Sequence, residues 1–478
     1  MKYISTRGAS APVTAEQAIL TGIAPDGGLY LPETVPVFSK EDLAEIAASD
    51  YRSAALKVLR PYLPSFTDDE LVSCVGEAYA RFDTSEPVQF QDLGNGLNVM
   101  ELWHGPTAAF KDMALQLFPR LMPLCKAKCG TAEETWILTA TSGDTGKAAL
   151  EGFCGVPGTR ILVFYPYGGV SRIQELQMTT QQGDNVGVFA VRGNFDDAQT
   201  GVKRLFGDAS LAADLAERGV RLSSANSINW GRLLPQIVYY VYASARLSVG
   251  GPVDFIVPTG NFGNIFAGYL AKLMGAPVGR LVCASNRNRV LTDFFETGVY
   301  DRRRPFYKTA SPSMDILISS NLERLLYLAS GRNAGRVAAW MRELAEQGSY
   351  AVPDSVMEPL RETFSFGFAD DTATVEAISA CWNEHRYLLD PHTAVGYAVY
   401  RELKNPSNPA VLVSTANPYK FAPDVLKAFG MSADGFEAQD LLGTETGVPV
   451  PASLSALREK TVRFDTVLSP EEMKTVLL

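Results

Sequence analysis

From residue 97 onward, short apolar runs close on loops rich in small and turn-forming residues, and residues at helical spacing follow each loop. The pattern predicts strands over 97–103, 136–141, 160–165 and 186–191. Helices starting at 107 and 147, and over 171–182 and 196–205, separate and follow them. A second set predicts a strand over 253–257, a helix over 264–274, a strand over 281–284 and a late strand over 411–413. Such alternation is the mark of βαβ units around parallel sheets. Upstream, helical periodicity over 39–48 and 67–81 makes residues 1–95 a mostly helical region, with a Gly-rich loop at Ala24-Pro-Asp-Gly-Gly-Leu-Tyr-Leu-Pro32. Residues 301–380 read as largely helical, opening on Arg302-Arg303-Arg304, and helices close the chain. The expected fold is therefore α/β, with two lobes at 96–245 and 246–478 behind the N-terminal helical region.

Composition narrows the function classes. A chain of 478 residues is too long for one core. The formal charge of −10 argues against nucleic acid as a partner, since phosphate backbones are gripped by basic surfaces. No run of about 18 apolar residues appears, and residues 1–12 lack the apolar stretch of a secretion signal, so no membrane partner is expected. Six cysteines without a Cys-x-x-Cys pair suit free thiols in a reducing compartment. Three histidines without a His-Glu-x-x-His spacing leave no metal site to expect. The picture is a cytoplasmic protein, expected as a monomer or homodimer.

Candidate chemistry sits in the loops. In His104-Gly-Pro-Thr-Ala-Ala-Phe-Lys-Asp112, Lys111 falls in the first turn of a predicted helix. The unpaired N–H groups and macrodipole there disfavour an ammonium, and a neutral amine is what a Schiff base with an aldehyde needs. The plain alternative is a surface lysine emerging from a helix start. Thr141-Ser-Gly-Asp-Thr-Gly-Lys147 fails as a nucleotide P-loop, with Thr141 where the first glycine belongs and Ala148 where a hydroxyl belongs. What remains is a set of hydroxyls and backbone donors suited to a carboxylate or phosphate, or simply to capping. Pro258-Thr-Gly-Asn-Phe-Gly-Asn264 lacks the first glycine and the later acidic residue of a dinucleotide fingerprint, yet its two glycines let backbone approach one phosphate. Ser414-Thr-Ala-Asn-Pro418 puts small hydroxyls at a strand's carboxyl end, where open α/β sheets bind ligands.

A lysine with a reason to be neutral, a one-phosphate cradle, an anion loop and a hydroxyl at a sheet crevice are the parts that hold pyridoxal phosphate and an amino acid. Together with Ser227-Ile-Asn-Trp-Gly-Arg232 and Pro312-Ser-Met-Asp315, these motifs match in order and spacing over almost the whole length. The chain thereby resembles the threonine synthase family, within the fold-type II pyridoxal-phosphate enzymes related to tryptophan synthase β chains and to serine or threonine dehydratases. Asp144 stands where the wider family usually carries Asn, and Asn417 where many relatives carry His. The resemblance implies conversion of O-phospho-L-homoserine and water to L-threonine and phosphate, with Lys111 as Schiff-base lysine and proton carrier. It implies a cofactor-phosphate cradle of Gly260, Asn261, Phe262, Gly263 and Asn264, with Thr415 at the pyridine nitrogen. It places Ser142, Asp144 and Thr145 at the substrate carboxylate and the cofactor's ring oxygen, and Asn226, Ser227, Asn229 and Arg232 at the substrate phosphate. A dehydratase on the same scaffold, or a non-catalytic homologue, are the alternatives.

Overall fold

The computed structural model describes every residue except 249 and 404–407, and the side chain of residue 196. Strands β1 (Tyr3–Ser5) and β2 (Tyr30–Pro32) pair antiparallel beside the first helices. Those helices start where capping chemistry demands: Thr14 with Gln17, Ser39 with Asp42, and Thr67 with Glu70 form reciprocal capping boxes at Ala15–Thr21, Lys40–Ala48 and Asp68–Tyr79. The third packs against the helix Phe118–Cys129, and the first two against the helix Trp230–Leu247, in which every residue from Trp230 to Ser244 is buried. A helix apolar on all sides belongs in the middle of a protein. Its first residue, Trp230, is flanked by Tyr3 and Tyr62 at ring separations of 5.4 and 5.6 Å.

The remaining strands are β3 (Gln89–Gly94), β4 (Leu97–Glu101), β5 (Glu134–Ala140), β6 (Thr159–Pro166), β7 (Val186–Val191), β8 (Val220–Ser223), β9 (Val253–Pro258), β10 (Val278–Ser285), β11 (Val299–Asp301), β12 (Ser349–Ala351), β13 (Phe364–Phe368), β14 (Ala410–Ser414) and β15 (Val467–Leu468). One sheet runs β13-β10-β9-β14-β4-β3, parallel except for the β3–β4 hairpin. The other runs β15-β7-β6-β5-β8, all parallel. β9 and β14 are buried at every position, as strands covered on both faces must be. The expected α/β class with parallel-rich sheets is what the protein has.

The sheets do not follow the expected divisions at 95/96 and 245/246. The first boundary cuts the β3–β4 hairpin. β4, assigned to the lobe 96–245, pairs in register with β14 from Leu97 opposite Ala410 to Glu101 opposite Ser414, so it belongs with the later strands. β15 returns from the C-terminal segment to the edge of the other sheet. Within 301–380, β13 is a strand where helix was expected, parallel to β10. The helix expected from 107 is two helices, Lys111–Leu115 and Phe118–Cys129. Pro119 causes the break, because it has no N–H to give the Leu115 carbonyl.

Candidate active site

The carboxyl ends of β4, β9 and β14 lie side by side, and the loops leaving them meet over one crevice. Leu102 N donates to Ser414 O at 3.1 Å and Phe110 N to Thr415 O at 2.8 Å, tying the lysine loop to the loop after β14. Between this sheet and β5 opens a cavity of about 990 Å³. Its wall includes Lys111, Ser142, Asp144, Thr145, Asn226, Ser227 and Arg232, the whole stretch Gly260 to Asn264, and Thr415. Thirteen of the fourteen residues expected at the site are thus brought together. Two loop residues that are not glycine take left-handed backbone, Ala108 at φ 57° and Phe262 at φ 62°. Strain of this kind persists only where the surroundings over-determine it.

Lys111 opens its helix as expected, but that helix has only five residues. Its amine is pushed below the usual lysine range chiefly by burial, with the nearby charges of Arg232 and Lys420 adding and Asp144 opposing. Nζ stands 3.2 Å from Asp144 Oδ2 and 3.1 Å from Ser313 Oγ. Asp144 is buried too, yet its carboxyl is held far below its usual range. Burial opposes ionisation there, and the charges of Lys420 and Lys111 outweigh it. Gly143, at φ 128°, precedes it, and a Cβ on Gly143 would lie 2.4 Å from the Gln174 amide that donates to Asp144 Oδ1.

The cradle is built differently from the sequence expectation. The left-handed residue is Phe262, not a glycine. Gly260 is required because a Cβ would sit 2.6 Å from the Ser313 carbonyl and 3.3 Å from Met314 Cα. At Gly263 a Cβ would meet only side-chain atoms at 3.3 Å or more. The helix Gly263–Leu273 begins without a side-chain cap, leaving its first N–H groups free for an anion. Asn264 Oδ1 accepts from Tyr239 OH at 2.5 Å and Tyr240 OH at 2.9 Å, which aims its buried, unpartnered Nδ2 away from them. Replacing Gly260 with alanine should therefore weaken cofactor binding at least about tenfold, the cost of overpacking a close backbone approach. Absorbance titration with pyridoxal phosphate checks this; full occupancy at equimolar cofactor would place the phosphate elsewhere.

Asn229, expected at the substrate phosphate, does not line the cavity. It is the N-cap of Trp230–Leu247, its Oδ1 accepting from Gly231 N at 2.8 Å. Its Nδ2 donates to Ile19 O at 3.0 Å and Ser224 O at 3.3 Å, so no donor is left for a ligand. Asn229→Ala should cost about 2 kcal/mol of stability in thermal unfolding, and KM should not move.

Sequence reasoning gave no role to three side chains, of which only Ser313 lay in a quoted motif. Ser313, in the 3-10 turn Pro312–Met314, touches Lys111. His392 lines the cavity, its Nδ1 2.9 Å from Asp390 Oδ1 and its Nε2 accepting from Ser313 N at 3.2 Å. That geometry puts the proton on Nδ1. Lys420 is fully buried behind the cavity wall, 2.8 Å from Asp144 Oδ1. A buried Asp-Pro-His at a helix start reads in sequence as a cap, which Asp390 also is.

Three family models cover the chain in order: "Threonine synthase N terminus" over residues 2–79, "Pyridoxal-phosphate dependent enzyme" over 86–357 and "Threonine synthase, C-terminal" over 393–476. A threonine synthase of Pseudomonas aeruginosa is 41% identical over 100% of this chain and 97% of its own. The chain belongs to the threonine synthase family. Among solved structures, pyridoxal-phosphate-bound threonine synthase from Brucella melitensis superposes with a TM-score of 0.90 at 39% identity, covering 100% of this chain and 98% of that one. Yeast threonine synthase does so at 0.88 and 33%, covering 100% and 98%. This membership makes the chain a pyridoxal-phosphate-dependent enzyme of threonine synthesis, and its residues fit that cofactor. The uncapped helix start, the glycine approach at 260 and the orphaned Asn264 amide suit a phosphate ester, and the Lys111 amine in the same cavity, its proton affinity lowered by burial, suits an aldehyde. Among the described residues no helix is long and apolar enough to cross a membrane, and no cluster suits a metal ion.

Proposed function

We propose that the substrate is O-phospho-L-homoserine, which the enzyme converts with water into L-threonine and inorganic phosphate, and that Lys111 is the lysine that carries the cofactor. Bound in the cradle Gly260 to Asn264, with Thr415 at its ring nitrogen, the cofactor supplies an electron sink for charge developing at the substrate's carbons. Lys111 Nζ takes protons from Cα and Cβ and returns them at Cα and Cγ, as an amine of lowered proton affinity suits. Ser142 and Thr145 bind the substrate carboxylate, and Asp144 orients Lys111. Phosphate leaves Cγ, the hydroxyl of the water ends on Cβ, and the remaining proton of the water ends on the released phosphate. Arg232, with Asn226 and Ser227, grips the leaving phosphate. Six free cysteines accord with the cytoplasm as its compartment.

The observation that carries this reading is Arg232. It is buried and forms no ion pair among the described residues, and its Nε has no partner. A buried cation without an acid is a site for an anion, and Arg232 belongs to the helix Trp230–Leu247 whereas the glycine cradle opens the helix Gly263–Leu273. The test is product analysis. Phosphohomoserine should yield threonine and phosphate in equal amounts, with unphosphorylated homoserine a poor substrate and serine giving pyruvate slowly. Faster deamination of serine or threonine by kcat/KM would overturn the substrate assignment.

A further inference from the structure

Asp144 is shared by two lysines. Lys420, in the turn Pro418–Phe421 after β14, is fully buried and does not line the cavity, so it has no path to a substrate. Its Nζ stands 2.8 Å from Asp144 Oδ1 and donates to the Thr107 carbonyl at 2.8 Å. Gln174 Nε2 donates to the same Oδ1 at 3.0 Å. Oδ2 is thereby left for Lys111 at 3.2 Å. We propose that Lys420 is a positioning residue that forms with Asp144 one charge-neutral unit, fixing Oδ2 toward Lys111 and cancelling the negative charge that this carboxylate would otherwise present to the Lys111 amine.

The need for cancellation is physical. A lone carboxylate beside a buried amine would hold it protonated, because little water screens the pair. Lys420 keeps Asp144 as a hydrogen-bond acceptor while removing most of that bias. The direction of the Lys111 shift agrees: burial lowers its proton affinity, and Asp144's opposing pull is met by Lys420 and Arg232. Other titratable groups face the same space from other elements: Arg232 on Trp230–Leu247, the imidazole of His392 on Pro391–Glu402 and Asp315 after the 312–314 turn. Asp112, next in the chain, is occupied by Thr107 N and Oγ1. These stay constant across the variants below, so differences report the pair alone.

The inference concerns the Lys111 amine itself and holds whether or not that amine carries the cofactor. The test uses the full-length chain stripped of cofactor, pulsed with isotopically labelled acetic anhydride across a pH series. Labelling of the Lys111 peptide is measured by mass spectrometry against an exposed lysine. Lys420→Met should raise the pH of half-labelling by about one unit or more, because Asp144 then acts on Lys111 unopposed. Asp144→Asn should lower it comparably, leaving Lys420 as an uncancelled cation. The double variant should return to within about half a unit of wild type. Shifts in one direction for both single variants, or a double variant no nearer to wild type than either single, would overturn the proposal. Should Lys420→Met fail to fold, Asp144→Asn against the double variant still decides: the double must lie above the single, and equality refutes the unit.

Discussion

Lys111→Ala should lower kcat by at least about a thousandfold while the protein stays folded, since one amine is asked both to carry the cofactor and to move protons at three carbons. The fold should survive for a reason visible in the site. Stranding a buried charge ordinarily costs about 3–5 kcal/mol. Asp144, however, keeps Lys420 and the Gln174 amide when Lys111 is gone. Its carboxylate is therefore not orphaned, and thermal unfolding should shift by only a few degrees. Wild-type protein should be yellow, and borohydride reduction followed by peptide mapping should place the cofactor adduct on Lys111. An adduct on Lys147, Lys272 or Lys420 would overturn the assignment. So would Lys111→Ala retaining turnover.

The path from residues to fold was short wherever local signals and tertiary packing agreed. The run 186–191 is the strand β7 at the same bounds, and the hydroxyl caps at Ser39, Thr67 and Ser171 start helices at the next residue. The site loops were legible because Gly, Asn and Ser clusters after apolar strands have few uses besides tight turns and anion binding. What stayed hidden was set by distant partners. β8 is four residues long, and β13 reads Phe-Ser-Phe-Gly-Phe inside a helical stretch; each is a strand because a neighbour supplies its ladder. Lys420 sits in a surface-like Tyr-Lys-Phe context, and its role depends on a carboxylate 276 residues earlier. Ser313 is likewise 202 residues from Lys111.

Asn229 errs the other way. The resemblance placed it with Asn226, Ser227 and Arg232 at the substrate phosphate, while its position before the eighteen-residue helix beginning at Trp230 makes it a cap. At Lys111 the lowered proton affinity of the amine has a different cause from the one expected. The helix behind it is too short to supply the macrodipole invoked for it, and burial lowers its proton affinity instead.

Arg232→Ala should lower kcat/KM for phosphohomoserine by about a hundred- to a thousandfold, the range for removing a preorganised donor from developing charge. Cofactor affinity should barely change. The contrast with the other fully buried arginine of this region makes the case. Arg324 spends Nε on Tyr30 O at 3.1 Å, Nη2 on Ile228 O at 2.6 Å and Nη1 on Ser227 O and Asn321 Oδ1, so it binds the loop together and has nothing to offer a ligand. Arg232 gives one bond to Ala225 O at 3.0 Å and a long one to Thr145 Oγ1 at 3.5 Å, with Nε unused. Burial draws its pKa down to about 10, which still leaves it charged at neutral pH. The Asp144–Lys420 pair is neutral as a unit, so the Arg232 cation is left over and an arriving dianion meets positive charge away from water. Arg232→Lys should fall between wild type and Arg232→Ala, because the charge is kept and the planar fork is lost. Steady-state kinetics with phosphohomoserine, beside absorbance titration with pyridoxal phosphate, separates the two anion sites. If cofactor affinity falls as far as kcat/KM, Arg232 serves the cofactor's phosphate; if neither moves, the leaving phosphate is held by other donors.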